Sequence, residues 1–410
     1  MRKQKANLLK ILKDNNLTSP RHKLFTVNYE DIRSGKVTDA YFERTHRILE
    51  TKKIKKRVRA EFTAKNLPSG WGIFTGLEEI LGLFEGLPIN IRSVPEGSVF
   101  KPFQPVMEIE GFYNDFDLLE TAVLGLMCQS SGIATKSARC RIAAGSLKLL
   151  SFGARRMHPA ISPMIERSSY IGGCDGVALV KGAEVLQIPP VGTMPHSLVI
   201  IMGSLTSALK AFDEIIEKDV PRVAIVDTFG DEKFEALEAA NCLHDRLDAI
   251  RIDTPSSRRG ILSEILTEVR WELNQAGFEK VKLFVSGGID EAEILNLREY
   301  VDGGFGIGTS ISSASVVDYS MDIIDIEGKP VSKKGKLSGG KHLLRCNDCF
   351  SEEVIPIDKP YGDCDLCGGE MSQHLASVME NGEKVKSLPS AKEIQNYVLL
   401  QIDRFSLDLK

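Results

Sequence analysis

The chain has 410 residues, of which 42% are hydrophobic and 26% charged, and a formal net charge of −4. That length exceeds what one hydrophobic core usually serves, so two or three domains are expected. The proportions are those of globular proteins, and no run of eighteen apolar residues occurs, which excludes a membrane-spanning helix as a reading of the sequence.

In chain order, residues 1–16 are charged throughout, with Leu8, Leu9, Ile11 and Leu12 at helical spacing. They lack the apolar core and small-residue cleavage site of a secretory signal, so a cytoplasmic location is expected. The first 60 residues hold 17 Lys and Arg against 6 Asp and Glu, leaving −15 for the remainder. Within them the run Lys52-Lys53-Ile54-Lys55-Lys56-Arg57-Val58-Arg59 reads as a solvated face, with anion binding as the other option. Val37–Phe42 leads into a second helix. Between Pro88 and Gly111, short β-prone runs broken by Pro95, Gly97 and Pro102 fit a small antiparallel sheet.

From Asp115 to Ser320 strands and helices alternate. Apolar β-rich runs occur at Val177–Val180, Val223–Val226, Ala249–Ile252 and Val281–Val285, with further candidates at Leu149–Phe152, Val185–Val191 and Phe305–Ile307. Helical stretches include Ser197–Lys218, Glu232–Leu247 and Ser257–Ala276. Such alternation means a parallel sheet, and six or seven units favour an α/β barrel of the TIM-like, irregular kind.

Polar residues then sit at successive strand ends, where barrels build their sites: Asp227-Thr228, Asp253-Thr254, Ser286-Gly287-Gly288 and Gly306-Ile307-Gly308-Thr309. Taken singly, each could be a helix cap or a turn. The two glycine clusters suit backbone amides turned toward a phosphate. Phe152-Gly153-Ala154-Arg155-Arg156 sets a stacking ring beside two guanidinium forks, which suit phosphate or carboxylate.

These segments, with Gly192-Thr193-Met194-Pro195-His196-Ser197, Arg251-Ile252-Asp253, Thr38-Asp39-Ala40-Tyr41 and the Pro95-Glu96-Gly97 turn, resemble nicotinate phosphoribosyltransferases in identity and order over about residues 35–340, most of all the archaeal type with a C-terminal cysteine module. The resemblance implies that Phe152, and Tyr41 from a neighbouring subunit, sandwich a pyridine ring, so the enzyme acts as a homodimer or higher homo-oligomer with shared sites. It implies substrate binding by Arg155, Thr193 and Arg251, and 5′-phosphate binding by Ser286, Gly287, Gly288, Gly306, Gly308 and Thr309. Asp227 and Asp253 would face the ribose or Mg²⁺. His196 would be phosphorylated by ATP, or else be a structural hydrogen-bonding residue. Asp175 departs from the pattern: it is an acid where many such enzymes have Ser or Asn, and as a substrate-binding residue it needs Arg155 or Arg156 to offset its charge.

Of eight cysteines, Cys128, Cys140, Cys174 and Cys242 are scattered and expected to be buried thiols. Cys346-Asn347-Asp348-Cys349 and Cys364-Asp365-Leu366-Cys367 form two CxxC knuckles fourteen residues apart, the pattern of a structural Zn²⁺ site, with iron as the other option. Residues 346–370 carry seven Asp and Glu against one Lys and no Arg, which argues against a nucleic-acid partner.

The expected organisation is an N-terminal α/β sandwich, residues 1–114, joined by 325–340 and 376–410, a barrel over 115–324, and a zinc knuckle over 341–375. The expected reaction joins nicotinate to phosphoribosyl pyrophosphate. Nicotinamide and quinolinate enzymes are the near alternatives, and a non-catalytic zinc-ribbon binding protein the remote one.

Overall fold

The computed structural model describes residues 24–404 except 68–69, 255–256 and 258–259. The helical periodicity read at Leu8–Leu12 lies outside the described residues. Residues 52–57 are exposed, and Arg57 and Arg59 pair with Glu110 on the next strand, as a solvated face requires.

An antiparallel sheet of seven strands has the order Lys329–Pro330, Tyr319–Ile326, Arg57–Ala64, Met107–Phe112, Asn90–Ser93, Ala376–Glu380 and Glu383–Lys384. It therefore draws on three separated stretches of chain. Tyr319–Ile326 enters by pairing with Arg57–Ala64, with Phe62 opposite Met321. One face is covered by Leu77–Phe84 and the start of the 25-residue helix Glu120–Ala144. That helix is buried on several sides because it meets three cores. Val123 and Met127 pack toward the antiparallel sheet, Ala134 and Ala138 toward the C-terminal helix Ala391–Ile402, and Ile133 and Cys140 toward the parallel sheet.

The second sheet has six strands, all parallel, in the order Gly176–Val177, Lys148–Ser151, Gly304–Ile307, Lys282–Ser286, Ala249–Ile252 and Val223–Ile225. Its strands read as apolar runs because helices cover them, the usual state of a parallel sheet. The order is cyclic: the last strand of the series, Gly304–Ile307, pairs with the first, Lys148–Ser151. Among the described residues one junction lacks a ladder, that between Gly176–Val177 and Val223–Ile225. The expected α/β class is present as a parallel half-barrel sheet.

Two local expectations differ from the structure. Val185–Val191 is not a strand: Val180–Leu186 is helical, Gln187 ends it in a left-handed conformation, and Pro189 and Pro190 offer no amide to a ladder. The helix expected over Ser197–Lys218 is two helices, His196–Met202 and Leu205–Ile215. Gly203 takes φ +82° and the Ser204 side chain caps the second helix by accepting from the Ser207 amide.

Candidate active site

A cavity of about 860 Å³ opens at the C-terminal ends of the parallel strands, where Phe152, Arg251, Asp253, Ser286, Gly287 and Gly308 meet. Phe152 follows its strand directly and its amide donates to the Ile307 carbonyl, which fixes the loop. Its ring lies across Gly306, where a Cβ would stand 2.3 Å from a ring carbon. Gly306 thus makes room for Phe152 inside a buried strand, and it lines the cavity beside Gly308. Gly153 is equally constrained, since a Cβ there would meet Ser312 and the Gly308 carbonyl, and this holds the aromatic loop against the last glycine loop.

Gly287 and Gly288 both have positive φ, +86° and +72°, which turns the backbone after the strand Lys282–Ser286 in a way other residues resist. Gly308 and Thr309 face the same cavity from the neighbouring strand. Arg155 and Arg156 stand on a single exposed turn at its mouth, with no ion pair among the described residues.

Arg251 lies across the floor. Its guanidinium donates to the Thr193 hydroxyl at 2.7 Å, reaches Asp253 at 3.4 Å and sits 5.6 Å from the Phe152 ring centre. Asp253 in turn accepts from the Ser286 hydroxyl at 2.6 Å. Asp227 takes φ +73°, uncommon for a residue other than glycine, and its Oδ2 lies 2.6 Å from the Thr254 hydroxyl. The other carboxylate oxygen, Oδ1, is buried without a hydrogen-bond partner. Burial pushes the Asp227 carboxyl up from its ordinary 3.8 to about 6, with Asp253 adding to the rise.

His196 is the first residue of its helix. Nδ1 lies 2.9 Å from the Thr228 hydroxyl, while Nε2 stands 3.9 Å from Asp227 and 3.8 Å from Asp253. Burial holds its pKa below the usual value, assisted by Arg251 and opposed by Asp253, so the neutral ring dominates at pH 7. Sequence reasoning missed Glu235, whose carboxylate accepts from the amides of Thr228, Phe229 and Gly230 and so fixes the loop after Asp227. Its only signal was an acid in the first turn of the helix that follows.

Two expected substrate residues lie elsewhere. Asp175 is off the cavity: it precedes the strand Gly176–Val177, pairs with Arg141 and accepts from the Leu149 amide at 2.8 Å, all at the N-terminal edge of the sheet. The charge conflict expected there does not arise. Tyr41 is 58% exposed on the helix Ala40–Lys52, with its hydroxyl toward Asp39 and its ring against Phe42, and it does not line its own chain's cavity.

The cysteine quartet is brought together. The Sγ atoms of Cys346, Cys349, Cys364 and Cys367 all lie within 4.8 Å of one another, with Cys346 and Cys367 at 3.5 Å and Cys349 and Cys364 at 3.6 Å. Tetrahedral zinc thiolates at about 2.3 Å from the metal demand similar spacings, so these residues could hold such an ion. Arg345, beside Cys346, is buried and donates to the Val99 carbonyl, Gln401 and the Tyr397 hydroxyl. Of the scattered cysteines, Cys140 and Cys174 are buried, Cys128 and Cys242 half-buried.

Fold and site together are those of an enzyme of the phosphoribosyltransferase class. The family models for the N-terminal and C-terminal domains of quinolinate phosphoribosyl transferase match residues 39–131 and 133–322. A crystal structure of nicotinate-nucleotide pyrophosphorylase from Pyrococcus furiosus is 49% identical, covers 94% of this chain and 100% of its own, and superposes with a TM-score of 0.92. A curated nicotinate phosphoribosyltransferase of Mycobacterium tuberculosis is 29% identical over 340 residues, 78% of this chain and 70% of its own length. Human nicotinic acid phosphoribosyltransferase shares the fold, with a TM-score of 0.75 at 20% identity over 90% of this chain and 94% of its own. The chain belongs to the type II phosphoribosyltransferase family, and the relatives it resembles include nicotinate phosphoribosyltransferases.

Proposed function

We propose that the chain transfers the phosphoribosyl group of phosphoribosyl pyrophosphate to the ring nitrogen of nicotinate, giving nicotinate mononucleotide and pyrophosphate in the biosynthesis of NAD. The observation that carries this reading is the Phe152 ring held against Gly306, in one cavity with Arg155, Arg156 and the two glycine loops. The ring offers a stacking surface for a pyridine, an arginine fork suits its carboxylate, and the loops suit a 5′-phosphate.

The nitrogen lone pair forms the new bond to C1 of the ribose as the C1–O bond breaks, and both electrons of that bond leave with pyrophosphate. No proton transfer and no covalent nucleophile are needed. Positive charge grows on the ribose, as in glycoside cleavage, and we assign its stabilisation to Asp253, which lines the cavity, and to Asp227. The same two residues would hold Mg²⁺, which neutralises pyrophosphate oxygens when bound. The unpartnered buried Oδ1 of Asp227 fits a cation.

His196, neutral and hydrogen-bonded through Nδ1, has Nε2 near Asp227 and Asp253 but in no hydrogen bond among the described residues, which supports its taking a phosphoryl group from ATP. Tyr41, exposed and away from its own cavity, supports a homodimer in which each subunit completes the other's site. The four cysteines support one structural Zn²⁺, because four thiolates leave no open coordination position. The cyclic strand order supports a full α/β barrel with its seam beside His196. We assign the cytoplasm as its location; among the described residues no helix is long and apolar enough to cross a membrane.

The test is a product assay with phosphoribosyl pyrophosphate, Mg²⁺ and either nicotinate, nicotinamide or quinolinate, with and without ATP. Nicotinate should be the substrate turned over best, and ATP should raise the yield and label His196. Release of carbon dioxide from quinolinate as the main activity would overturn the assignment.

A further inference from the structure

Behind the phosphate loops, a second cavity of about 300 Å³ lies between the helix Glu120–Ala144 and residues 310–317. Its charged walls are Lys136, Arg139 and Glu291. Lys136 and Arg139 stand three residues apart on one helix, and both pair with the single carboxylate of Glu291, Arg139 through Nε at 2.8 Å. Burial alone would raise the Glu291 carboxyl, but the hydrogen bonds from Lys136 and Arg139 hold it below the usual range, so it stays ionised. Two cations thus face one anion. Nη1 of Arg139 is buried and has no hydrogen-bond partner, an arrangement that costs about 1–3 kcal/mol unless a ligand or water fills it. Ser310, Ser313 and Ser315 complete the wall.

We propose that this cavity binds a phosphate group, held by Lys136, Arg139 and these serines, at a site separate from the catalytic cavity and adjoining it. A surplus positive charge with an unfilled guanidinium donor is what a tetrahedral oxyanion satisfies. Ser310 lines both cavities, and Asp290, on the catalytic side, is followed directly by Glu291 on this one. An occupant therefore bears on both glycine loops at once. Free inorganic phosphate and the pyrophosphate released by the proposed reaction share this chemistry; only the second source rests on that reaction.

The experiment is calorimetric titration of the full chain with inorganic phosphate, and separately with pyrophosphate, at constant ionic strength in chloride. One binding event per chain should weaken at least tenfold in Lys136→Met and in Arg139→Lys, which keeps the charge but not the fork. It should survive in Lys210→Met, an exposed control. Asp253→Asn, which should lower turnover about 10²–10³-fold, should leave it unchanged. Tighter binding of pyrophosphate than of phosphate would identify the product as the source. Wild-type protein that takes up neither ion, or binding that Lys136→Met and Arg139→Lys both leave intact, would overturn the proposal even if turnover is as expected. Failure of the wild-type chain to form mononucleotide from nicotinate would instead sink the reaction and leave this site standing.

Discussion

Gly306 and Phe152 are in such close contact that the smallest side chain at 306 would occupy the ring's space: a Cβ would stand 2.3 and 2.5 Å from two ring carbons. Gly306→Ala must therefore push Phe152 off its strand-fixed position. Overpacking of this kind costs about 1–3 kcal/mol of stability, and a displaced stacking surface should raise KM for nicotinate about tenfold or more, with KM for phosphoribosyl pyrophosphate changed less. Gly125→Ala, in the long helix with open space at the Cβ, is the matched control and should leave both unchanged. Equal kinetics in the two variants would show that Phe152 does not contact the pyridine.

Asp227 sets up an exchange of stability for activity. Its folded carboxyl titrates near 6, above its ordinary 3.8, so the fold binds a proton that the unfolded chain does not hold between those values. Stability is thus lost as pH rises through that window, and the cost is complete above about 6. In metal-free buffer, Asp227→Asn should unfold later than wild type at pH 7.5, by up to about 2 kcal/mol, and the gain should vanish toward pH 4. Its turnover should fall about 10²–10³-fold, as should that of Asp253→Asn. Bound Mg²⁺ opposes protonation of Asp227, so the fall of wild-type activity on acidification should move to lower pH as Mg²⁺ is raised. Denaturation curves at the two pH values, with a pH–rate profile, check both halves.

The exposed Tyr41 calls for complementation in trans. Tyr41→Ala and Arg155→Ala homodimers should each be nearly inactive. Mixing them under subunit exchange should restore about a quarter of wild-type activity, since half the dimers are hybrid and each hybrid has one intact site. If no mixture recovers activity, the site is completed within one chain.

Cys364→Ser should remove the metal. Its effect should travel through Arg345, which ties the cysteine module to Val99, Tyr397 and Gln401. Hydrogen exchange should rise over 341–375 and in the helix Ala391–Ile402, while kcat per folded dimer stays within about threefold, because the four thiolates lie apart from the catalytic groups. Metal content, exchange and turnover measured on one preparation decide it. A fully ordered, metal-free dimer whose chemistry alone has collapsed would show that the ion is not structural.

The features legible in the sequence were those carried by neighbouring residues. Apolar runs ending in Asp-Thr or in glycines marked parallel strands and the cavity edge, because chain direction puts every such ending on the same side of a parallel sheet. The spacing of the CxxC knuckles announced the thiolate cluster, since each pair of ligands comes from one tight turn. Phe152, Arg251, Asp253, Gly287 and Gly308 accordingly meet where they were expected.

What the tertiary structure alone decided depended on pairings across the chain. Asp175 stands next to a strand just as Asp253 does, but before it rather than after it, and only the ladder from Leu150 to Gly176 shows which edge it occupies. That Gly306 must also make room for Phe152, 154 residues earlier, shows only in the packed structure. Glu235 becomes a cap for three amides only once the loop after Asp227 turns back on its helix. The cyclic strand order, and the partnering of Lys136 and Arg139 with a carboxylate 152 residues or more away, likewise follow from how helices pack on the sheet. Local sequence encodes turns and periodicity through short-range sterics; which faces meet is settled by burial of the whole core, to which every distant segment contributes.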